Sequence, residues 1–382
     1  MSYSPTSIAL DQPPVQHATR VLFLLAGLAT GAWASLVAAA KERAGLDEAS
    51  LGVTLLFLGI GSIMAMPLSG ALSTRYGCRK VLAVSGALMA GLLPVLALAD
   101  SISTLCITLF LFGAMIGTFE CVMNIQAVIV ERGASKPLMS GFHGFYSLGG
   151  IVGAAGSSGL MLIGLSPFGS MLLMTSLMLA LLGGAHRFLL PYANPAEGPP
   201  FALPRGAVLF LGILCFIVFL VEGSMLDWSA VFLREQHGLS LAHAGFAFAC
   251  FSATMTIGRL TGDRIVARLG RRPILIIGAL GAAAGILLSI YAPWWPLAFA
   301  GYALVGLGCA NIVPVLFTAV GQQTSMPQRI AVPAMSTLGY TGVLSGPAGI
   351  GFIAQQTSLQ TAFLLVALLM IGVAISGRHL KV

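Results

Sequence analysis

The sequence predicts an all-α integral membrane protein with twelve transmembrane helices in two pseudo-symmetric six-helix bundles. Of its 382 residues, 57% are hydrophobic and 8% are charged, whereas soluble proteins contain about 25% charged residues. Apolar runs long enough to cross a membrane occur twelve times, and motifs of the first half return in the second at a nearly constant displacement. These three observations predict the fold class.

The twelve apolar runs each contain about 20 residues or more, the length that a helix needs to cross a hydrocarbon core of about 30 Å. A β-barrel would need shorter segments of alternating hydrophobicity, so helices are predicted. The first twenty residues lack a charged region followed by a cleavage site, and the first span is therefore expected to be an uncleaved anchor. The predicted spans, one to twelve, cover residues 21–40, 50–73, 81–99, 102–130, 138–165, 167–190, 206–233, 241–266, 273–292, 294–320, 330–354 and 357–377.

The basic residues predict the orientation of these spans. With the amino terminus inside, only Lys41, Arg43 and Arg234 of the 19 Lys and Arg residues fall outside. This is the positive-inside bias, which places both termini in the cytoplasm. The net charge of +7 is therefore explained by topology rather than by nucleic-acid binding. The residues assigned to cytoplasmic ends or loops are Arg20, Arg75, Arg79, Lys80, Arg132, Lys136, Arg187, Arg205, Arg259, Arg264, Arg268, Arg271, Arg272, Arg329, Arg378 and Lys381.

The chemistry-bearing motifs of enzymes are missing from the sequence. There is no HExxH, no phosphate-binding loop and no nucleophile with its base, and the six cysteines are scattered without paired spacing. We read the cysteines as small apolar residues rather than as disulfides or metal ligands. We therefore expect no enzyme, no cofactor and no metal. The expected partners are a small-molecule substrate, protons and membrane lipid, with no nucleic acid, and the chain is expected to act as a monomer.

An internal duplication relates the two halves. The segments GALSTRYGCRK and GDRIVARLGRRP follow the second and eighth spans, and Gly77 and Gly270 match at a displacement of 193 residues. Six spans per copy is an even number, so both copies enter the membrane from the same side. We predict an N-terminal bundle at 1–190, a proline-rich cytoplasmic linker at 191–205 and a C-terminal bundle at 206–382. Other pairs in register are Arg75 and Arg268, Arg79 and Arg272, Gly45 and Gly238, Ala49 and Ala242, Gly52 and Gly245, and, displaced by 196, Met139 and Met335.

This arrangement resembles the major facilitator superfamily across nearly the whole chain. The family's loop pattern is present at Gly70, Leu72, Ser73, Arg75, Gly77 and Arg79. The first copy departs from the pattern by having Thr74 at the acidic position and Cys78 at a basic one. The second copy has Ala267 at the acidic position and carries Asp263 one turn earlier. The resemblance implies two half-bundles that rock about a central substrate site.

Charged loop residues are candidates for gating. We assign Arg75, Arg79, Asp263, Arg268 and Arg272 to the closure of the cytoplasmic face, where arginines can pair with helix C-terminal carbonyls and with acids. Asp263 is expected to pair with Arg259 or with a neighbouring helix end. The alternative interpretation is that these arginines only set topology.

Three acids in predicted spans are candidates for proton coupling, because acids in hydrocarbon are costly and usually functional. Glu120 in span four is the first choice: it lies near mid-membrane, Asn124 projects from the same face, and the duplication places Asn311 opposite it. Glu222 in span seven is the reserve candidate, and Asp227 lies on another face of that span. Packing alone, with Glu120 bonded to Asn124, remains an alternative.

Further polar and aromatic side chains complete the candidate site. His143 and Tyr146 belong to a polar stripe on span five, where the histidine could carry a proton or simply form structural hydrogen bonds. Trp228 could stack on a sugar ring or belong to an interfacial aromatic belt. Together with Asn124, Asn311 and Tyr146, the predicted substrate-binding residues are Trp228, Tyr340 and Trp33.

The segments MNIQAVIVE, FHGFYSLGGIVGA and EGSMLDWSAVFL resemble bacterial fucose-permease-like permeases of sugars and related solutes. This resemblance implies proton-coupled uptake of a sugar-like solute by alternating access and marks Glu120 and Asn124 as site residues. A proton-coupled drug or metabolite exporter of the same superfamily is the alternative. A channel is disfavoured by the duplication and the scarcity of charge.

Overall fold

The computed structural model describes residues 10–134, 136–193, 202–239 and 246–380, and every regular element in these ranges is a helix. The all-α prediction is therefore confirmed. A short 3-10 turn, Gly377–His379, follows the last α-helix. The α-helices, numbered in chain order, are α1 (Pro13–Arg43), α2 (Glu48–Leu98), α3 (Ile102–Ala134), α4 (Met139–Leu162), α5 (Pro167–His186), α6 (Ala207–His237), α7 (Phe246–Leu269), α8 (Arg271–Tyr291), α9 (Trp295–Cys309), α10 (Ile312–Gln322), α11 (Gln328–Gln356) and α12 (Leu359–Ser376).

Nine helical stretches of the described chain are long and apolar enough to cross a membrane. One of them, Ser50–Leu98, contains 49 residues, or about 73 Å of helix, which suffices for two crossings. This stretch contains both the second and the third predicted spans, and a single non-helical residue, Gly77, stands in place of the loop predicted between them. The tenth predicted span is divided instead, because α9 ends at Cys309 and α10 begins at Ile312.

The interruption within α2 is a single glycine. Gly77 has φ 80° and ψ 155°, and its counterpart Gly270, between α7 and α8, has φ 84° and ψ 163°. Gly45 and Gly238 also share positive φ values, 63° and 65°. These left-handed conformations suit residues without a Cβ atom. The duplication seen in the sequence is thus present in the backbone; Ala242 and Gly245, which belong to the same match, lie outside the described residues.

Packing divides the chain into two compact units. The first consists of Met1–Leu138 and Leu148–Phe201, and the second of Met139–Ser147 and Ala202–Val382. Helix α4 is therefore shared, since its first nine residues pack within the second unit. Residues 194–201 of the predicted linker lie outside the described part of the chain.

In the first unit, glycines let helix backbones touch. Helices α2 and α3 pack along one another most extensively, and a Cβ atom at Gly117 would lie 2.7 Å from the Cα atom of Ser62. Cβ atoms at Gly149 and Gly153 would clash with backbone carbonyls of α1, so α4 approaches α1 closely at these two residues. A Cβ atom at Gly159 would have no atom of a neighbouring helix within 4 Å, so the helices do not approach closely at this residue.

In the second unit, α6 packs along α11, and α9 packs against both α7 and α8. Cβ atoms at Gly285 and Gly308 would each lie 2.6 Å from a carbonyl oxygen of the facing helix. The helix is interrupted between α9 and α10, at Ala310 and Asn311, where Asn311 has φ −110° and ψ 0°. This break brings backbone polar groups into the interior of the unit. All six cysteines belong to the described residues and are free thiols.

Candidate functional site

A buried ion pair joins α6 and α7 in the second unit. The Nη2 atom of Arg259 lies 3.1 Å from Oε1 of Glu222 and donates a hydrogen bond to it. The Arg259 side chain is 6% exposed and that of Glu222 is 18% exposed, so the carboxylate is the more accessible partner. Burying two charges is tolerated only when their geometry and their other hydrogen bonds are good.

Two further groups fix the guanidinium of Arg259. Its Nη1 atom donates to the hydroxyl oxygen of Ser147 at 3.0 Å, and its Nε atom donates to the carbonyl of Ala310 at 3.3 Å. Ala310 immediately follows the end of α9, where backbone carbonyls carry partial negative charge and favour a cation. Three edges of the guanidinium are thus held by α4, α6 and the helix break.

Asn311 occupies the same break. Its Nδ2 atom donates to the carbonyl of Gly258 at 3.1 Å, while its Oδ1 atom is buried without a hydrogen-bond partner among the described residues. A Cβ atom at Gly262 would clash with that oxygen, so α7 approaches Asn311 closely. The site therefore contains an amide acceptor one residue from the carbonyl that binds Arg259.

Three other titratable side chains lie near the ion pair. His143 of α4 is buried, interacts electrostatically with Arg259, and packs its ring 5.5 Å from that of Phe317. Cys215 and Cys309 are buried close enough to Glu222 to interact with its charge. The local electrostatics are nevertheless dominated by the two formal charges of the pair.

Asp263 contacts the start of α4. Its Oδ1 atom accepts a hydrogen bond of 3.0 Å from the backbone N–H of Gly141, in the first turn of that helix. A carboxylate at a helix N-terminus is favourable because the N–H groups there are unpaired and partially positive. Of the two partners considered for Asp263, the neighbouring helix end is the one observed; Arg259 pairs with Glu222 instead.

The first-choice acid, Glu120, lies in α3 of the first unit and is half-buried. Asn124 is buried beside it, but its Nδ2 atom donates to the backbone carbonyl of Glu120 at 2.8 Å rather than to the carboxylate. Asn311, which the duplication matched with Glu120, belongs to the second unit. Glu120 and Asn124 therefore remain neighbours as predicted, with a different hydrogen bond.

The aromatic and acidic candidates belong to four different helices. Trp33 is buried in α1, and Tyr146 and Tyr340 are half-buried in α4 and α11. Trp228 packs so closely on α11 that a Cβ atom at Gly351 would lie 3.0 Å from its ring. Asp227 is exposed on α6.

The gating candidates differ in their surroundings. Arg79 donates to the carbonyls of Leu189 at 2.8 Å and of Arg187 at 2.9 Å, just beyond α5 in its own unit. Arg75 is exposed, with its guanidinium 5.2 Å from the ring of Tyr76. Arg268 and Arg272 are exposed and form no hydrogen bond or ion pair within the described ranges.

The sequence interpretation was wrong about Arg259. It counted this residue among cytoplasmic ends and loops, whereas the structure buries it inside α7. The signal was available: Arg259 lies nine residues before Arg268, or about 13 Å along a helix. A signal for the carbonyl of Ala310 was also present, because Pro314, four residues later, lacks the backbone N–H that would bond to it in a continuous helix.

Comparisons with known proteins place this chain in a family. A model of the Major Facilitator Superfamily matches residues 211–380. An uncharacterized MFS-type transporter of Yersinia pestis is 50% identical over 364 residues, covering 95% of each chain. The fosmidomycin resistance protein of Escherichia coli is 25% identical over 341 residues, covering 84% of this chain and 81% of that protein.

A solved structure shows the same architecture. The fucose:proton symporter FucP of E. coli superposes with a TM-score of 0.79 over 96% of this chain and 98% of that chain. Its 16% sequence identity makes this likeness one of fold alone. The 50% identity to an MFS-type transporter over 95% of the sequence is the stronger finding. This chain therefore belongs to the major facilitator superfamily of membrane transporters.

Proposed function

We propose that this protein is a secondary active transporter that takes up a small polar organic solute together with protons by alternating access. It would act in the bacterial plasma membrane with both termini in the cytoplasm. The observation that carries this proposal is the buried Glu222–Arg259 ion pair. Ionisable residues inside membrane helices are costly and usually belong to substrate or proton pathways.

A proton is well suited to break such a pair. Protonating Glu222 removes one charge from a site where the guanidinium is held in place by Ser147 and Ala310. The change in charge leaves Arg259 unpaired, and an unpaired buried charge favours either a new partner or a change in packing. Proton binding is thereby linked to solute binding or to conformational change.

Glu222 is our choice for the coupling acid, and Glu120 becomes the second candidate. Glu222 contacts a fixed cation, which gives its two protonation states very different interactions. The amide of Asn124 binds the backbone of Glu120 instead of its carboxylate. We retain His143 as a neighbouring group that can influence the pair, since it interacts with Arg259.

A gating role is proposed for Asp263. Its hydrogen bond to Gly141 joins α7 to the first turn of α4, and breaking that bond exposes an unpaired helix N-terminus. The bond therefore stabilises the conformation seen here over any state in which α4 leaves α7. Arg268 and Arg272, exposed and close in sequence, are retained as topology or gating residues.

Proton-coupled export is the second candidate function. It is favoured by the likeness to the fosmidomycin resistance protein of E. coli over most of both chains. The same ion pair could serve antiport, because a proton and a solute would then bind to Glu222 and Arg259 in alternation. The two functions differ in the sign of the proton movement that accompanies the solute.

Proteoliposomes containing a trapped pH-sensitive dye distinguish the two functions. Solutes from a panel of sugars, polyols and organic acids are added outside in the absence of any imposed gradient. We expect the active solute to acidify the lumen, as symport requires, and protein-free liposomes to show no change. Alkalinisation of the lumen would assign antiport, and solute entry without proton movement would contradict both functions.

A further inference from the structure

We propose that Arg259 binds the carboxylate of a small organic acid, in the place that Glu222 vacates when it takes up a proton. This inference rests on the proposed function and adds the chemical class of the solute. The geometry of the second unit supports it in three steps: the shape of the guanidinium site, the balance of charge, and the scarcity of competing ionisable groups.

The guanidinium of Arg259 is already arranged for a carboxylate. Its Nε and Nη1 atoms are occupied by Ala310 and Ser147, and its Nη2 atom donates to Glu222. Arginine presents its donors in a rigid fork that matches carboxylate geometry. Glu222 is three times as exposed as Arg259, 18% against 6%, so the Glu222 side of the pair is the more accessible one.

The balance of charge requires one proton for each solute carboxylate. In the present pair, Glu222 and Arg259 sum to zero. If a solute carboxylate joined them while Glu222 stayed ionised, two anions would share one cation in a buried site, which is unfavourable. A proton bound to Glu222 restores the sum to zero, with the solute anion opposite Arg259. One proton and one monocarboxylate therefore cross together, and transport is electroneutral.

Among the described residues of the second unit, few other ionisable groups face this site. On α6 itself and on α9, the near ones are Cys215 and Cys309, and α4 contributes His143. Helices α10 and α12, which pack on α6, contain no ionisable side chain.

Helix α7 adds Asp263, which binds the start of α4, and α11 adds Arg329 and Tyr340. Helices α6 and α11 run parallel to one another. Arg329 lies in the first turn of α11 and is therefore far from Glu222 along the axes of these two helices. The carboxylate of Glu222 is thus the acid in contact with Arg259, and it is the group that must respond when a second anion arrives.

Ligand binding to the detergent-solubilised full-length protein tests the site without transport. The probes are D-gluconate, D-glycerate and D-lactate, each beside a neutral analogue: D-glucose for gluconate and glycerol for the shorter acids. In Glu222→Gln, Arg259 lacks its anionic partner, so we expect carboxylates at pH 8 to raise its melting temperature more than that of the unmodified protein. Neutral analogues should raise neither.

Two variants control for folding. Arg259→Lys keeps the charge but loses the fork, and should weaken carboxylate binding at least tenfold. The double variant Glu222→Gln with Arg259→Gln replaces the ion pair by two amides, so it should fold, elute as a single species and show no carboxylate-dependent stabilisation. Equal stabilisation of Glu222→Gln and this double variant by carboxylates would overturn the proposed site.

Electrical measurements separate this inference from the function on which it rests. Under an inward proton gradient, carboxylate accumulation should be unchanged by an inside-negative potassium diffusion potential, because no net charge moves. If the gradient drives a neutral analogue instead, with stimulation by that potential, proton-coupled uptake stands and the carboxylate site is wrong. If carboxylates bind as expected but no gradient drives them, the site stands and the proposed coupling is wrong.

Discussion

Gly262 lies where α7, the start of α4 and Asn311 meet. A Cβ atom there would clash with Oδ1 of Asn311 and would lie 2.6 Å from the Cβ atom of Ser140. We expect Gly262→Ala to destabilise the protein by about 1 to 3 kcal/mol through overpacking, and to lower its melting temperature in detergent.

Gly349 provides the matched control for that substitution. It also lies inside a helix of the second unit, α11, and a Cβ atom there would meet no other residue within 4 Å. Alanine is the better helix former by up to about 1 kcal/mol, so Gly349→Ala should leave the melting temperature unchanged or raise it. Equal losses at both positions would show that α7 does not pack around Asn311 as described.

Sequence reasoning succeeded and failed at particular residues for physical reasons. Glu222 and Asn311 stand out because polar side chains are rare in apolar spans, and Asp263 stands out because it departs from a repeated loop pattern. Arg259 was misplaced because positive-inside counting treats every basic residue near a span end as a topology signal. Its partner at Ala310 is a backbone carbonyl, which the sequence marks only indirectly: Pro314 has no N–H to bond to the carbonyl four residues earlier.

Among the helices, the start of α2 offers a test by pH. Asp47 caps this helix, and its Oδ1 atom accepts a 2.7 Å hydrogen bond from the backbone N–H of Ser50. That bond holds the pKa of Asp47 below its ordinary value of 3.8. Because the pKa is lower in the folded state, the cap contributes fully above pH 3.8 and is lost as the pH falls through the lowered value.

Amide exchange in the first turn of α2 measures this cap. After correction for intrinsic rates, protection of the Ser50 amide should be higher at pH 5 than at pH 2.5 in the unmodified protein. In Asp47→Ala the protection should be lower and independent of pH over this range. A pH-dependent protection that persists in Asp47→Ala would assign it to another group.

The two duplicated loops make a matched pair at Gly77 and Gly270. Both have positive φ, but a Cβ atom at Gly77 would clash with the carbonyl of Pro191, whereas the one at Gly270 would have only Pro273 within 4 Å, at 3.8 Å. Gly270→Ala should cost about 1 to 2 kcal/mol of backbone strain. Gly77→Ala should cost more, seen as a lower melting temperature and lower yield of folded protein; equal effects would contradict the packing at Pro191.

These loops also show what the sequence could say about the helices. Long apolar runs and a repeated glycine register predicted the crossings and the duplication, because lipid demands continuous apolar helices. Boundaries were less predictable: a positive-φ glycine interrupts α2 with no intervening loop, while α9 and α10 separate at Asn311 inside one long apolar run. Tertiary packing decides such details, and in the second unit it places Arg259 beside Ala310.

For the whole molecule, the central claim is that proton uptake by Glu222 drives solute accumulation. The most direct measurement compares Glu222→Gln, Glu120→Gln and the unmodified protein in proteoliposomes, using the solute that moves protons in the panel. Accumulation against a gradient under an imposed pH difference and solute exchange at equal pH are recorded for each. Exchange reports binding and conformational cycling without net proton movement, so it separates coupling from folding.

The account predicts that Glu222→Gln loses accumulation, by at least about tenfold, while retaining exchange. Glu120→Gln should still accumulate the solute in response to the pH difference. The opposite pattern would move the coupling acid to α3 of the first unit. Unimpaired accumulation by Glu222→Gln would contradict the claim that the Glu222–Arg259 pair couples protons to transport.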